Sequence, residues 1–312
     1  MASTPKIGVS SCLLGERVRY DGGHKHDRWL TDILGPFVTF VPVCPEVGAG
    51  LPVPREAMRL EGEPAAPRLV TTRSRVDLTE QMLAFCRAKV VELEREELCG
   101  FVFKKDSPSS GLFRVKVYNS GGVARSGSGL FARAVAEHFP NLPVEEEGRL
   151  NDPALREQFL ERVLAYCRWQ EFCRNDGSIG GLVRFHTSHK LQLMVHNPQL
   201  YRELGKLMAS GKWVERDELM RSYEALFMRT LGYRATPRKQ VDVFMHVMGY
   251  FKQQLSTDEK SELLELFGRY RQGQVSLPVP LTLLRHYVRT FGQPYPEEQT
   301  WLNPHPFYLF RS

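Results

Sequence analysis

The first half of the chain alternates short apolar runs with loops, a pattern that predicts buried strands separated by turns. Residues 7–10, 37–43 and 101–103 form three such runs, and residues 112–117 predict a further short strand. Residues 79–97 instead carry apolar side chains at helical spacing, after a start signal of Asp and Thr. Strands that alternate with helices in this way predict an α/β domain with a mostly parallel sheet.

From residue 154 onward the apolar spacing becomes almost wholly helical, which predicts an all-α domain. Ser256 and Glu259 form the sequence signature of a helix N-cap. The proline-rich, acidic stretch 140–153 separates the two unlike halves, so we place the domains at 1–150 and 151–312. The predicted helical segments are 155–175, 188–209, 216–230, 238–255, 258–272 and 278–291.

The composition is that of an ordinary globular protein. The chain has 312 residues, of which 42% are hydrophobic and 25% charged, and this length allows about two domains. No run of 18 apolar residues occurs, so we expect no membrane span. The first 15 residues lack the pattern of a secretory signal, and we therefore expect a cytoplasmic location. The six cysteines do not resemble a disulfide scaffold, and in a reducing compartment unusual ones indicate metal binding or chemistry.

The net charge of +6 is unevenly placed along the chain. Residues 1–150 hold 20 Lys and Arg against 19 Asp and Glu, whereas residues 151–312 hold 22 against 17. This basic excess in the second half permits a polyanionic partner without requiring one.

Two cysteines each follow a predicted strand directly. Cys12 comes after the run 7–10, and Cys44 comes after the run 37–43. Neither belongs to a CxxC pair, so spacing alone favours buried structural cysteines. Neighbouring Pro and Gly shift that balance, because sharp turns hold a side chain outward at the sheet edge where ligands bind in α/β proteins.

Further polar residues lie beyond the same predicted strand ends. Glu46, beside Cys44, could donate or accept a proton, although an ordinary surface carboxylate explains it equally well. Lys104, Ser107 and Ser109 surround a turn that could cradle a phosphate or a polar ring, which is a weak signal by itself.

The loop after Cys12 contains Arg17, Arg19, Tyr20 and Asp21 before two glycines, and Arg55 could supply another phosphate contact. Arginine and tyrosine in such a loop could bind a nucleotide base or phosphate, and a solvated turn is the alternative.

The densest polar cluster of the helical half contains His186 and His189. Two histidines at this spacing invite a metal site, yet no third ligand follows at convincing spacing, so core or surface histidines are favoured. Basic residues interleaved with aromatics suit RNA better than a metal; they are Arg184, His186, Lys190, Tyr250 and Lys252. Three cysteines fall within helical patterns and are predicted to be core residues: Cys86, Cys167 and Cys173.

Three linked motifs in the first half, VSSCLLGERVRYDGGHK, VPVCPEVGAGLPVPRE and FKKDSPSSGLFRVKVY, resemble the thiouracil desulfidase family. The helical half, with FHTSHKLQLMVHNPQLYRELG, HVMGYFKQQL and PLTLLRHYVRTFGQPYPEEQTWLNPHP, resembles the YbgA-type domain. Together they resemble the two-domain tRNA 4-thiouridine desulfidases over nearly the whole chain. The resemblance implies an enzyme that converts 4-thiouridine in tRNA to uridine, with neither DNA nor a membrane as a partner.

The same resemblance implies a 4Fe-4S cluster that is held by three cysteines, two of which are Cys12 and Cys44. The remaining iron would take the sulfur of the substrate, because thiolate and sulfide are soft ligands. Glu46 would be the acid/base group, and Ser107 would assist in the pocket.

The third motif departs from the family, which has SPSCG where this chain has SPSSG. Ser110 therefore stands at the position of the third cysteine ligand, and its hydroxyl is a poor replacement for a thiolate on iron. We expect a weakened or absent cluster and low activity. Cys99 precedes the strand 101–103, so a strand of this length places it at the opposite sheet edge.

Two other functions stay open. The loss of the third cysteine favours a non-catalytic RNA-binding protein that lacks its cluster. A desulfidase that acts on free thiouracil or on 4-thio-UMP is the other alternative, with a different role for the helical half.

Overall fold

The computed structural model describes residues 4–211 and 213–303. Residues 304–306, which end the third helical motif, lie outside the described residues. The chain divides into two compact units, the first ending at Cys167 and the second beginning at Arg168. This division falls inside a helix, whereas the acidic stretch 140–153 had placed the domain boundary at residue 150.

The first unit contains two four-stranded sheets. The first sheet has the order β2-β1-β5-β8 with every pair parallel, which confirms the predicted α/β fold with a parallel sheet. The second sheet has the order β4-β3-β6-β7 and is mixed. The strands are β1 Lys6–Ser10, β2 Thr39–Val43, β3 Met58–Glu61, β4 Arg68–Thr71, β5 Gly100–Phe103, β6 Val115–Asn119, β7 Gly122–Gly127 and β8 Val144–Glu146.

The first sheet is packed tightly around its central strand β1. Gly8 pairs with Phe101 of β5, and a Cβ at Gly8 would lie 2.2 Å from the Phe101 ring, so the ring covers β1 only because residue 8 is glycine. Phe101 also stacks on Phe103 at 4.2 Å between ring centroids. The parallel order places the carboxyl ends of β1, β2 and β5 at one edge, as predicted.

The sequence did not predict most of the second sheet. The predicted strand 112–117 is observed as β6 Val115–Asn119 and belongs to this second sheet, not to the first. Strands β3 and β4 of this sheet are four residues each and carry charged side chains, so they lack the apolar runs that predicted the buried strands. Non-local pairing creates this sheet, and local patterning did not indicate it.

Eleven α-helical segments occur within the described residues. The predicted segment 188–209 is wrong as one helix, because Asn197 caps and Pro198 begins a new helix. The predicted helix 238–255 ends at Met248. The bounds are α1 Pro45–Gly48, α2 Thr79–Glu94, α3 Leu130–His138, α4 Pro153–Asn175, α5 Ile179–His196, α6 Pro198–Ser210, α7 Arg216–Leu231, α8 Pro237–Met248, α9 Thr257–Arg271, α10 Pro278–Thr290 and α11 Pro294–Glu297.

The second unit is helical throughout its described part, as predicted. Its core packs residues of α5, α8, α9 and α10 around Phe244 and Phe267. The predicted cap of α9 is confirmed as a capping box between Ser256 and Glu259. Within the described part of the chain, no helix combines the length and apolar character needed to cross a bilayer.

The helical cysteines do not share one environment. Cys86 is buried, as predicted, and Cys167 is half-buried. The prediction for Cys173 is wrong, because the last turn of α4 is exposed and Cys173 lies on it.

Candidate active site

A cavity of about 460 Å³ opens at the carboxyl edge of the parallel sheet. All three motif segments contribute to its walls, which is the convergence expected from parallel strands. Five cations and two carboxylates line it, so its walls carry a positive excess. The lining includes Ser10, Ser11, Cys12, Arg19, Tyr20, Lys25, Cys44, Glu46, Arg55, Met58, Lys104, Lys105, Asp106, Ser107, Pro108, Ser109 and Ser110.

Cys12 lies in a 3₁₀ turn that follows β1 directly, Ser11–Leu14. Gly15 ends this turn with φ of 93°, a left-handed conformation that favours glycine. The carbonyl of Cys12 then accepts the backbone N–H of Lys25 at 2.9 Å, which closes the intervening loop back onto the sheet edge. These backbone bonds hold the thiol at the cavity wall.

Cys44 precedes the short helix α1 in an extended conformation, with Pro45 at the first helical position. Glu46 is therefore held in the first turn of α1, where Arg55 donates two hydrogen bonds to its carboxylate. The Arg55 side chain is only 5% exposed and also donates to the carbonyl of Val18 at 2.9 Å. Arg55 thus fixes the carboxylate and the loop after Cys12 together.

Two buried carboxylates hold the third motif at both of its ends. Glu147 pairs with Lys104 at the start of the loop. Glu146 accepts the backbone N–H groups of Leu112 and Phe113 at 2.8 and 3.0 Å at the end of the loop. Burial raises the pKa of Glu146, although these hydrogen bonds lower it in part.

Helix α3 holds the middle of the same loop. Its unsatisfied N-terminal N–H groups bond to loop carbonyls, and Phe131 donates to Ser109 at 2.9 Å. Gly129 donates to Gly111 at 2.6 Å, and a Cβ on Gly129 would lie 2.5 Å from the carbonyl carbon of Ser109. The approach of helix and loop therefore requires glycine at position 129.

Two hydroxyl groups, a carboxylate and a backbone N–H form a connected chain of hydrogen bonds across the cavity wall. Ser109 Oγ donates to Glu46 Oε1 at 2.8 Å, and Ser107 Oγ lies 3.1 Å from Ser109 Oγ. The backbone N–H of Ser110 donates to Ser107 Oγ at 3.1 Å. The carboxylate of Glu46 is therefore connected by hydrogen bonds to the hydroxyls of the third motif.

Of the two cavity thiols, Cys12 is buried and Cys44 is half-buried. Burial raises the pKa of Cys12 to about 11, with partial opposition from the positive charges of Lys104 and Arg19. Burial also raises the pKa of Cys44. Cys44 contributes to the raised pKa of Cys12, because two thiolates at one site would repel each other.

An iron–sulfur cluster takes thiolate ligands, and the expected cluster requires three of them. The cavity offers two thiols, Cys12 and Cys44, and the hydroxyl of Ser110. Within residues 4–211 and 213–303, no three His, Cys, Asp or Glu side chains group to hold a metal ion. The residues present therefore do not supply the three thiolates of the expected cluster. Cys99 precedes β5 and its N–H bonds to Lys6, at the amino end of the sheet.

The structure brings most of the predicted site residues to one cavity. Those that line it are Cys12, Tyr20, Cys44, Glu46, Lys104, Ser107, Ser109 and Ser110. Arg17 is exposed and is not among the lining residues. Arg19 and Lys25 line the cavity in its place, and Arg55 supports Glu46. The sequence indicated Arg19 and Arg55 as phosphate contacts and did not single out Lys25. Loop closure through the carbonyl of Cys12 decides which loop side chains turn inward.

The polar cluster of the helical half contains two buried histidines. His186 and His189 are 6% and 2% exposed, so both belong to the core. His186 therefore does not present its ring to an RNA surface. Arg184, Tyr250 and Lys252 remain exposed.

Residues 7–147 match the family model for 2-thiouracil desulfurase, and residues 190–306 match the model for a protein of unknown function, DUF1722. The chain is 32% identical over 113 residues to the uncharacterized protein YbgA of Escherichia coli strain K12, covering 36% of this chain and 67% of YbgA. It is 27% identical over 151 residues to the uncharacterized protein YbbK of Bacillus subtilis strain 168, covering 47% of this chain and 98% of YbbK.

Among solved structures, the chain is similar to the 4Fe-4S-dependent thiouracil desulfidase TudS, with a TM-score of 0.40 and 33% sequence identity. That match covers 49% of this chain and 97% of the TudS chain.

The first unit is similar to the 2-thiouracil desulfurase model over residues 7–147, and its sheet edge holds two thiols and a carboxylate. The chain belongs to the family of YbgA through the DUF1722 region of its second unit.

Proposed function

We propose that the protein removes sulfur from thiolated uracil, and that its substrate is 4-thiouridine in tRNA. The observation that carries the proposal is the convergence of Cys12, Cys44 and Glu46 on one positively charged cavity. In the overall reaction the C=S group and one water give C=O and H₂S, so the carbon does not change its oxidation state. The substrate assignment places the protein in the cytoplasm, where tRNA is found.

Different residues of this chain would bind the nucleotide and transfer the proton. Glu46 accepts a proton from the attacking water, and Arg55 holds its carboxylate in place during this step. Ser109 bonds to Glu46 and Ser107 bonds to Ser109, so the two hydroxyls relay the proton and orient the base. Lys104 and Tyr20 bind the nucleotide from the cavity wall.

An iron–sulfur cluster, where a third thiolate completes its ligand set, would supply an iron that attracts the sulfur of a thiocarbonyl. Cys12 and Cys44 would hold it, and Ser110 stands at the third position. Since a hydroxyl is a hard donor of high pKa, we propose that the cluster is weak or absent in this chain and that its activity is low.

The experiment is anaerobic reconstitution with iron and sulfide of the parent chain and of Ser110→Cys. We expect Ser110→Cys to gain bound iron and the broad iron–sulfur absorption, and to release sulfide from thiolated tRNA well above the parent rate. Ser109→Cys is the matched control, since it places a thiol one residue away in the same loop. A Ser110→Cys protein with neither iron nor sulfide release would contradict the proposal.

Free thiouracil or 4-thio-UMP is a second candidate substrate. The match to a 2-thiouracil desulfurase model favours it, because that description names a free base. Rates on thiolated tRNA, 4-thio-UMP and thiouracil should be compared with the full Ser110→Cys chain. A preference for the free compounds would replace the tRNA assignment.

A non-catalytic RNA-binding role is the third candidate, and Ser110 is the residue that favours it. It predicts tight binding of tRNA by the parent chain and no sulfide release by Ser110→Cys even when the variant contains iron.

A further inference from the structure

Three cations form a row across three adjacent strands of the second sheet: Arg59 on β3, Lys116 on β6 and Arg125 on β7. The antiparallel register of β6 and β7 pairs Lys116 directly with Arg125. The parallel register of β3 and β6 pairs Leu60 with Val117, which puts Arg59 next to Lys116. Adjacent strands lie about 4.8 Å apart, so the row extends over about 10 Å.

The row lies on the open face of the sheet. Lys116 is exposed, whereas Val115 and Val117 on either side of it are buried, as strand alternation requires. Tyr118 lies two residues beyond Lys116 and therefore shares its face. The guanidinium of Arg59 lies 4.6 Å from the centroid of the Tyr118 ring. The open face thus offers cations together with an aromatic ring.

This arrangement of charge is unfavourable without an anion. Like charges directly opposite each other destabilise a pair of strands. Arg59 is compensated by Glu61, whose pKa is lowered to about 2 by hydrogen bonds from Arg75 and Arg59. Within the described ranges, Lys116 and Arg125 have no such carboxylate at ion-pair distance.

A cavity of about 390 Å³ lies along the row and adjoins the candidate active site. Arg59, Lys116, Tyr118 and Arg125 line it, with Asp106 as its carboxylate among the described residues. The two cavities share three wall residues, which are Met58, Asp106 and Pro108. An anion on the row would therefore lie beside the cavity that Cys12 lines.

We propose that the row of Arg59, Lys116 and Arg125 binds the phosphate backbone of an RNA strand that flanks the nucleotide in the active-site cavity. The inference rests on the proposed desulfidase function and adds a binding path to it. A row that extends over about 10 Å follows successive phosphates better than it surrounds one. Tyr118 provides a face on which a flanking base stacks.

The first test compares two double variants that remove the same charge. Lys116→Gln/Arg125→Gln changes the row, and Arg87→Gln/Arg95→Gln changes two exposed arginines on and just after α2. Binding of a single-stranded RNA oligonucleotide is measured by fluorescence anisotropy over a range of salt concentrations. We expect the row variant to weaken binding about tenfold and to reduce the salt slope by about 1.4, the value for two phosphate contacts on a single strand. Equal effects in both variants would mean a response to net charge alone and would overturn the proposal.

Lys116→Glu provides a second test that separates binding from folding. It places a carboxylate opposite Arg125, so the cross-strand repulsion becomes an attraction. We expect the melting temperature to stay level or rise while RNA affinity falls at least as far as in the double variant. Retained RNA affinity in a folded Lys116→Glu protein would overturn the proposal.

Turnover by iron-loaded Ser110→Cys then separates this inference from the proposed function. With the row variant added, we expect unchanged kcat/KM for the 4-thiouridine nucleoside and a raised KM for an oligonucleotide that contains 4-thiouridine. An equally raised KM for 4-thio-UMP would mean a site for one phosphate and would overturn the backbone path. Loss of turnover on every substrate in Ser110→Cys alone would reject the proposed function, whereas the anisotropy result would still decide the row.

Discussion

Both units contain polar motifs, but those of the first unit line a cavity, whereas the histidines of the second unit are buried in its core. In the first unit, the polar residues that follow β1, β2 and β5 surround a cavity of about 460 Å³. In the second unit, His189 of α5 stacks on Phe185 at 4.2 Å and meets Phe227 at 5.4 Å between ring centroids. His186 bonds through Nδ1 to the hydroxyl of Tyr223 at 3.1 Å. One motif set forms a site, and the other helps to form a core.

The difference comes from where each element ends. A strand of a parallel sheet stops at the sheet edge, so the residues after it leave the core and meet those of neighbouring strands. Residues inside a helix have no such exit, and those on its inner face pack whether or not they are polar. A cluster of polar residues along the sequence therefore indicates a site only when the residues lie beyond the end of a strand or helix.

The largest expected effect concerns the candidate active site of the first unit. In iron-loaded Ser110→Cys, Glu46→Gln removes the proton acceptor but keeps the shape of the side chain. We expect kcat to fall by about 10²- to 10⁴-fold, the usual range for a general base, as measured by sulfide release. Glu63→Gln, at an exposed position, is the control and should leave kcat unchanged. A similar small effect in both variants would remove Glu46 from the proposed chemistry.

Gly129→Ala tests how rigidly the third motif is held. The added Cβ would lie 2.5 Å from the Ser109 carbonyl carbon, so the loop or α3 must move. We expect a loss of about 1–3 kcal/mol in the free energy of unfolding and, in Ser110→Cys, lower iron content.

Gly205→Ala in α6 of the second unit is the matched control, because a Cβ there meets nothing within 4 Å. It should stabilise its helix by about 0.5–1 kcal/mol. Urea denaturation of both variants makes the comparison, and equal changes in the free energy of unfolding would contradict it.

The buried histidines of the second unit predict a specific sensitivity to acid. Burial lowers the pKa of His186 to about 4 and that of His189 to about 3, below the ordinary value of 6.5. The unfolded chain therefore binds protons first as pH falls, and stability is lost from about pH 6.5 downward. Between pH 7 and 4.5 we expect the second unit to lose about 2–3 kcal/mol for each histidine.

Trp169, Trp213 and Trp301 lie in the second unit, so tryptophan fluorescence during urea denaturation mainly reports on it. His189→Phe removes one titrating group while keeping a ring against Phe185, and it should reduce the acid loss by about half. An unchanged pH dependence in this variant would show that His189 does not titrate as its burial requires.

The sequence predicted the site better than it predicted the sheets around it. Cys12, Cys44 and Ser110 follow apolar runs that predicted strands, so their approach at one edge was predictable. The second sheet was not, because β3 and β4 are short and charged and are stabilised by partners distant in sequence. The sequence did not predict the row of Arg59, Lys116 and Arg125 for the same reason, since only strand register brings these residues together.

By itself, the sequence determined the α/β and helical halves, the three segments of the site and the serine at the third ligand position. Apolar periodicity and turn residues act locally, so they can be read along the chain. Only the tertiary structure decided that Arg55 supports Glu46, that Arg17 stays outside and that His189 is buried. Each of these depends on contacts between distant residues, and their energies arise only when the chain has folded.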